Sequence, residues 1–278
     1  EEDKLKRLPK PKSLSGKIAL ITGGSGAIGK ASAEKILENG GNVFLTDISQ
    51  KNLNKAIQEL EDKYGSDNIK GCQMDVTNEQ NVLEGFKTLL NTFGGLDILV
   101  SSVAVNTEAT FENTSLEIWN QNFSVLSTGY FLVARESFKI MKNQQMGGSI
   151  LFIVSKNGMI PSKKVSSYCA AKAAELQLSR CIALEGAEYN IRSNAINPDA
   201  VIKDSNMWSE ELRNKRSKTY NILPKELENF YKNRSLLKKS VYAEDIAEGI
   251  YYFCLDSSEK STGNILNIDA GHVATFTR

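Results

Sequence analysis

An apolar run, Lys17-Ile18-Ala19-Leu20-Ile21-Thr22, leads directly into Gly23-Gly24-Ser25-Gly26-Ala27-Ile28-Gly29 and then into a helix-forming stretch, Lys30 to Asn39. Few architectures accept a strand, a glycine-rich turn and a helix in that order. The glycines let the backbone turn sharply and approach an anion closely. The helix that follows offers its free N–H groups and the positive end of its dipole. Glycine-rich turns are common, but one that follows a strand and opens a helix has the context a pyrophosphate-binding turn requires. Gly23, Ser25, Gly26, Ala27 and Ile28 are therefore candidate nucleotide-binding residues.

The rest of the chain keeps the same rhythm. Apolar strand candidates recur at Ile18–Thr22, Val43–Thr46, Ile69–Met74, Ile98–Ser101, Ile150–Val154, Ile191–Ile196 and Ile265–Ile268, with helical stretches between them. Alternation of this kind predicts a parallel sheet covered on both faces. Right-handed crossovers and a reversal after the third strand give the order 3-2-1-4-5-6-7. The expected fold is a doubly wound α/β domain of Rossmann type with seven strands. Between Val201 and Glu244 the rhythm breaks: Asp204–Lys218 and Pro224–Asn233 read as two polar helices. An insertion there lies beyond the carboxyl ends of the strands, where ligands bind in open α/β sheets.

Two further features carry chemistry. The second strand candidate ends in Asp47, placed to accept hydrogen bonds from an adenosine ribose and to repel a 2′-phosphate, while Ile48 supplies no compensating cation. NAD is the expected cofactor, with NADP disfavoured. Tyr168 and Lys172 stand four apart in a stretch that reads as a helix from Ser166, so ring and ammonium emerge on one face. A phenol is a poor base near neutrality, and a neighbouring cation favours its phenolate. Ser155, just after the strand candidate Ile150–Val154, offers a hydroxyl to the same reacting oxygen.

Taken together these residues resemble the short-chain dehydrogenase/reductases, over nearly the whole length from about Leu14. The landmarks are Thr22-Gly23 through Gly29, Asp47, Asp75-Val76, Asp97 to Val100, Ser155, Tyr168, Lys172, Asn197-Pro198, Thr262-Gly263 and Asn267 to Asp269. The resemblance implies that Ser155, Tyr168 and Lys172 are catalytic. It also implies that Asp75 and Val76 meet the adenine, that Lys172 also binds the nicotinamide ribose, and that the segment after Pro198 closes over substrate. Ser102 falls on the wall behind the nicotinamide. Three positions depart from the family pattern. Ala27 replaces a glycine, Ser101-Ser102-Val103-Ala104 replaces Asn-Asn-Ala-Gly, and Leu126 stands where many members place a catalytic Asn. Asn120 and Asn122 lie on other helix faces and are not obvious substitutes. A narrower resemblance runs through Asn122–Arg135, Ser155–Asn157, Ala173–Leu176, Ala183–Gly186 and Asn197–Val201. It is to the dehydrogenase half of bifunctional rhamnulose-phosphate aldolase/short-chain dehydrogenases, which implies fusion to an N-terminal aldolase domain and lactaldehyde as a substrate. The charged, Pro-containing stretch within residues 1–13 reads as a linker, followed by the dehydrogenase domain over 14–278 with its insertion at about 201–240.

Composition narrows the remaining classes. The 278 residues fit one large α/β domain, and 41% hydrophobic content supplies a sizeable core. A net charge of +1 gives no case for nucleic acid, and no apolar stretch approaches the ~20 residues of a membrane helix. Arg213-Asn-Lys-Arg216 reads as a solvated face. Cys72, Cys169, Cys181 and Cys254 lack paired metal spacing and His272 has no histidine partner, so thiols in a reducing cytoplasm and no metal are expected.

Two functional classes follow. One is an NAD-dependent oxidoreductase acting on a small alcohol or aldehyde; the other is a catalytically weak nucleotide-binding module that assembles with an upstream aldolase. An intact Ser155, Tyr168 and Lys172 favours the first. Lys156, Asn157, Asp199, Lys203 and Trp208 are candidates for a substrate wall, with no signal that selects the substrate. The long helices expected at Leu116–Lys142 and Ser166–Glu188 lie where the family packs a two-fold four-helix bundle. A homodimer or homotetramer is therefore expected, with Trp119, Phe123, Tyr130 and Phe131 available as apolar contacts.

Overall fold

The computed structural model describes residues 11–205 and 207–276. The linker-like stretch therefore lies largely outside the described residues; Leu14, just after it, is already buried in the core. Seven strands form one sheet: β1 (Ile18–Thr22), β2 (Asn42–Asp47), β3 (Ile69–Gln73), β4 (Ile98–Ser101), β5 (Gly148–Ile153), β6 (Ile191–Pro198) and β7 (Ile265–Ile268). Every pairing is parallel and the order is β3-β2-β1-β4-β5-β6-β7, the order expected from sequence.

The strands read as continuous apolar runs because both faces are covered. Alternate residues of β1 part company: Ala19 and Ile21 join one cluster, Leu20 the other. The first cluster takes helices α1 (Ala27–Glu38), α2 (Gln50–Tyr64) and α9 (Ala243–Cys254). The second takes α3 (Glu79–Phe93), α5 (Gly129–Gln144) and α6 (Ser166–Gly186). Local capping fixes where helices start. The Ser49 and Asn78 side chains accept the Asn52 and Asn81 N–H groups at the starts of α2 and α3. At α1 the N-cap is Gly26 and no side chain caps the first turn, which leaves its donors facing the carboxyl edge of the sheet.

Three expectations from sequence need correction. The stretch Leu116–Lys142 is not one α-helix. It comprises α4 (Leu116–Asn122), a π-helical segment Phe123–Thr128 and then α5. Residue periodicity does not register the widened turn, because every residue in it is still helical; the turn buries Leu126 against Val165, Tyr168 and Ala171. The insertion begins later than expected. Its helices are α7 (Glu210–Tyr220), capped by Ser209, and α8 (Leu227–Asn233), and they are not simply polar. Ile202, Trp208, Leu212, Leu227 and Tyr231 give them a core of their own. The third concerns Arg213–Arg216. Arg213 donates to the carbonyls of Trp208 and Ile202, and Arg216 is 4% exposed beside Glu108, so the run is not a solvated face. Among the described residues no helix is long and apolar enough to cross a membrane.

Candidate active site

One cleft of about 700 Å³ opens at the carboxyl edge of the sheet. Every residue singled out for cofactor or catalysis lines it: Gly23, Ser25, Gly26, Ala27, Ile28, Asp47, Asp75, Val76, Ser102, Ser155, Tyr168, Lys172 and Pro198. They come from the ends of six strands and from α6, so only the parallel sheet brings them together.

The glycine-rich turn is fixed by close backbone approach. Gly23 has φ +66°, and a Cβ there would crowd Ser102 and Val103 in the adjoining loop at 3.1–3.2 Å. A Cβ on Gly29 would lie 2.3 Å from the Gly23 carbonyl oxygen, so the turn closes onto α1 only with glycine. At the end of β2, Asp47 is engaged rather than free. Its Oδ2 accepts from the Ser25 N–H at 3.2 Å and hydroxyl at 2.5 Å, and its Oδ1 accepts from the Ser49 N–H at 3.0 Å. The carboxylate thus ties the turn to β2 while still facing the cleft. Asp75 accepts from the N–H and hydroxyl of Thr77, which shapes the loop after β3. Ser102 donates its hydroxyl to the Thr22 carbonyl at 2.6 Å, a clamp between the ends of β4 and β1. Val103 and Ala104 beside it add apolar wall. An uncapped helix start, a turn that admits no Cβ and a carboxylate at the next strand end fit a dinucleotide.

Catalytic candidates gather where β5 ends and α6 begins. Tyr168 is buried. Burial pushes its phenol above the ordinary tyrosine value, a hydrogen bond with Ser155 pulls it down, and the Glu175 carboxylate pushes it up again. The Ser155 Oγ also accepts from the Asn157 N–H at 3.2 Å. Lys172 is 1% exposed and behaves differently from the expectation that it simply flanks the phenol. Its Nζ lies 5.9 Å from the centroid of the Tyr168 ring, and it donates to the Ile153 carbonyl and to Glu175 Oε2, both at 3.0 Å. Burial lowers the lysine below its usual value and Glu175 raises it. Helical spacing put both side chains on one face; the partner acid decides where the ammonium points.

The far end of the cleft is more charged than expected. Lys156 and Asp199 pair at 3.0 Å, and Arg234 donates to both Asp199 oxygens at 2.8 and 3.0 Å. Burial pushes Asp199 up, but the two cations outweigh it and hold the carboxyl below its usual range. Asn157 and Trp208 also line the cleft, joined by Arg216 and Tyr231. Lys203 does not; its ammonium sits over the Tyr242 ring at 5.6 Å. Glu175, Arg216, Arg234 and Tyr231 had no motif to mark them. Only Glu175 left a trace, as an acid three residues after Lys172 on an otherwise inward face.

The short chain dehydrogenase family matches residues 17–216. Oxidoreductase YuxG of Bacillus subtilis is 43% identical over 275 residues; the match covers 99% of this chain but spans only 40% of the length of that relative. Sorbitol-6-phosphate 2-dehydrogenase of Escherichia coli is 28% identical, over 92% of this chain and 98% of its own. The structure of sorbitol-6-phosphate 2-dehydrogenase from Erwinia amylovora superposes with a TM-score of 0.87 at 29% identity, covering 92% of this chain and 99% of that one. A shared fold and a family match across most of the chain make this protein a member of the short chain dehydrogenase family, oxidoreductases that act on alcohol and keto groups.

Proposed function

We propose that the chain is an NAD-dependent dehydrogenase of a small polar alcohol, or reductase of the matching aldehyde, and that lactaldehyde is its leading substrate. The observation that carries the reaction class is the buried Tyr168 phenol, which Ser155 pulls back towards its usual value, in the cleft that Asp47 and the glycine-rich turn also line. A bound nicotinamide supplies hydride acceptance or donation. The chain's own residues do the rest. Ser155 holds the reacting oxygen, Tyr168 takes its proton in oxidation or returns it in reduction, and Lys172 orders the ribose side of the cleft. The Gly26 end of α1 would receive the pyrophosphate, Asp47 the adenosine ribose, and Asp75 and Val76 the adenine.

NAD is favoured because Asp47 presents a carboxylate at the end of β2 and the exposed Ile48 beside it brings no cation. A short polar substrate is favoured because Lys156, Asp199 and Arg216 line the cleft's outer end. The choice of lactaldehyde, with fusion to an upstream aldolase, rests on the narrower resemblance, and the greater length of the Bacillus relative accords with it. We place the folded unit at residues 14–278, working as a homodimer or homotetramer in the cytoplasm.

The test is NAD reduction or NADH oxidation by the purified chain with L-lactaldehyde, a free sugar and a steroid alcohol. Rates should rank in that order. Turnover with another class but none with lactaldehyde would remove the pathway and leave the reaction class.

A further inference from the structure

Lys172 meets an acid that no part of this reaction has yet used. Glu175 lies three residues further along α6 and is fully buried. Its Oε2 accepts from the Lys172 ammonium at 3.0 Å, while Oε1 has no hydrogen-bond partner among the described residues. Burial disfavours both the carboxylate and the ammonium, and each charge eases the other.

Among the described residues no other charge acts on the Lys172–Glu175 pair, while Arg216 and Cys169 also act on Tyr168. From α5, Tyr130 sits beneath the ammonium at 5.0 Å from its ring centroid, and its hydroxyl is spent on the Val103 and Ile153 carbonyls. Tyr168 lies on the same helix, and beyond it Leu126, Val165 and Ala171 present hydrocarbon. Packing alone does not call for an acid here, since the neighbouring buried positions of α6 include the uncharged Ala171, Leu176, Ser179 and Ala183.

We propose that Glu175 is a positioning residue for the reaction: its carboxyl holds the Lys172 ammonium against the Ile153 carbonyl, and its proton sets the charge that Tyr168 meets. The proposal rests on the reading of Tyr168 and Lys172 as an acid/base pair. With Glu175 ionised, the Lys–Glu pair is neutral and does little for a phenolate. With Glu175 protonated, the ammonium is uncompensated and favours one. Transfer of one proton from the phenol to the carboxyl thus leaves the net charge of the core unchanged. Burial pushes Glu175 up to about 8, against the pull of Lys172, which places its titration in the working range.

Glu175→Gln keeps the shape and an oxygen for Lys172 but removes the charge and the proton. In the nucleotide-free protein, the Glu175 carboxyl carbon should titrate near pH 8 by NMR. Stability relative to Glu175→Gln should fall as pH rises from 4.5 to about 8, because the folded chain keeps a proton that the unfolded chain has released. In turnover with NAD, the variant keeps an uncompensated ammonium but has no carboxyl to take the phenol's proton, so kcat should fall about tenfold or more with the substrate KM within about twofold. The ionisation near pH 8 should also vanish from its kcat profile, and Glu175→Asp should recover part of the rate. A wild-type profile in Glu175→Gln overturns the proposal, and if Tyr168→Phe is still inactive the proposed function stands. Should Glu175→Gln fail to fold, the wild-type NMR titration decides: a Glu175 carboxyl that titrates with the exposed glutamates overturns it. Full activity in both Tyr168→Phe and Glu175→Gln would remove the acid/base assignment itself.

Discussion

At the scale of single residues, the site works by withholding water from groups that usually need it. Tyr168 and Lys172 are both buried, and burial alone opposes both charged forms. Ser155 is the neighbour that eases the phenol, and under the proposed function the effects of changing Ser155, Tyr168 and Lys172 should be non-additive. Tyr168→Phe keeps the ring in its pocket and removes the proton; turnover should fall by ~10²-fold or more while NAD still binds, measured by rate and by cofactor fluorescence titration. Asp47 makes a different prediction. Its carboxylate also secures Ser25, so Asp47→Ala should loosen the glycine-rich turn as well as erode the preference for NAD over NADP. Titrating both cofactors against both proteins checks this, and equal affinities in the unaltered protein would contradict the role given to Asp47.

Individual elements carry constraints that single residues do not. The β1 turn and α1 meet at a contact where a Cβ on Gly29 would sit 2.3 Å from a backbone oxygen. Backbone cannot yield as a flexible side chain does. Gly29→Ala should therefore lower the melting temperature and weaken nucleotide binding together; calorimetry and a binding titration would expose either effect alone. The α4–α6 region also shows an uncovered apolar surface. Leu116, Phe131 and Leu184 are exposed, Trp119 and Phe123 stack at 4.7 Å, and Tyr130 is withdrawn into the core. If this face joins copies, Leu184→Arg should shift the light-scattering mass of the protein towards the monomer with catalysis per folded chain little changed. A monomer in the unaltered protein at micromolar concentration would end the proposed assembly.

Across the whole molecule, the insertion is tied to the sheet by buried charge. Asp199 follows β6 and receives Lys156 from the β5 loop and Arg234 from the end of α8. Its carboxyl is held below the 3.8 of an ordinary aspartate, so the stability it contributes is complete above that value and lost as pH falls through the folded value. Thermal melts should show the wild type losing its advantage over Asp199→Asn below about pH 4. The loss should also open the cleft's outer end, because breaking a buried network strands two cations.

Strand number, strand order, the glycine-rich turn and the positions of Ser155, Tyr168 and Lys172 were all legible in the chain. They depend on local periodicity and on spacing within one element, quantities that sequence carries directly. The tertiary structure alone decided the rest. It turned Lys172 towards Glu175, widened the helix at Leu126, and buried Arg216 against Glu108 although its neighbours read as a solvated run. The last two outcomes depend on residues far apart in sequence, and the first, although its partners stand three residues apart, on burial in a space from which water is excluded. A charged side chain looks the same in sequence whether it meets solvent or a buried partner. Only the packed fold sets the dielectric around it, and with it the protonation state on which the reaction depends.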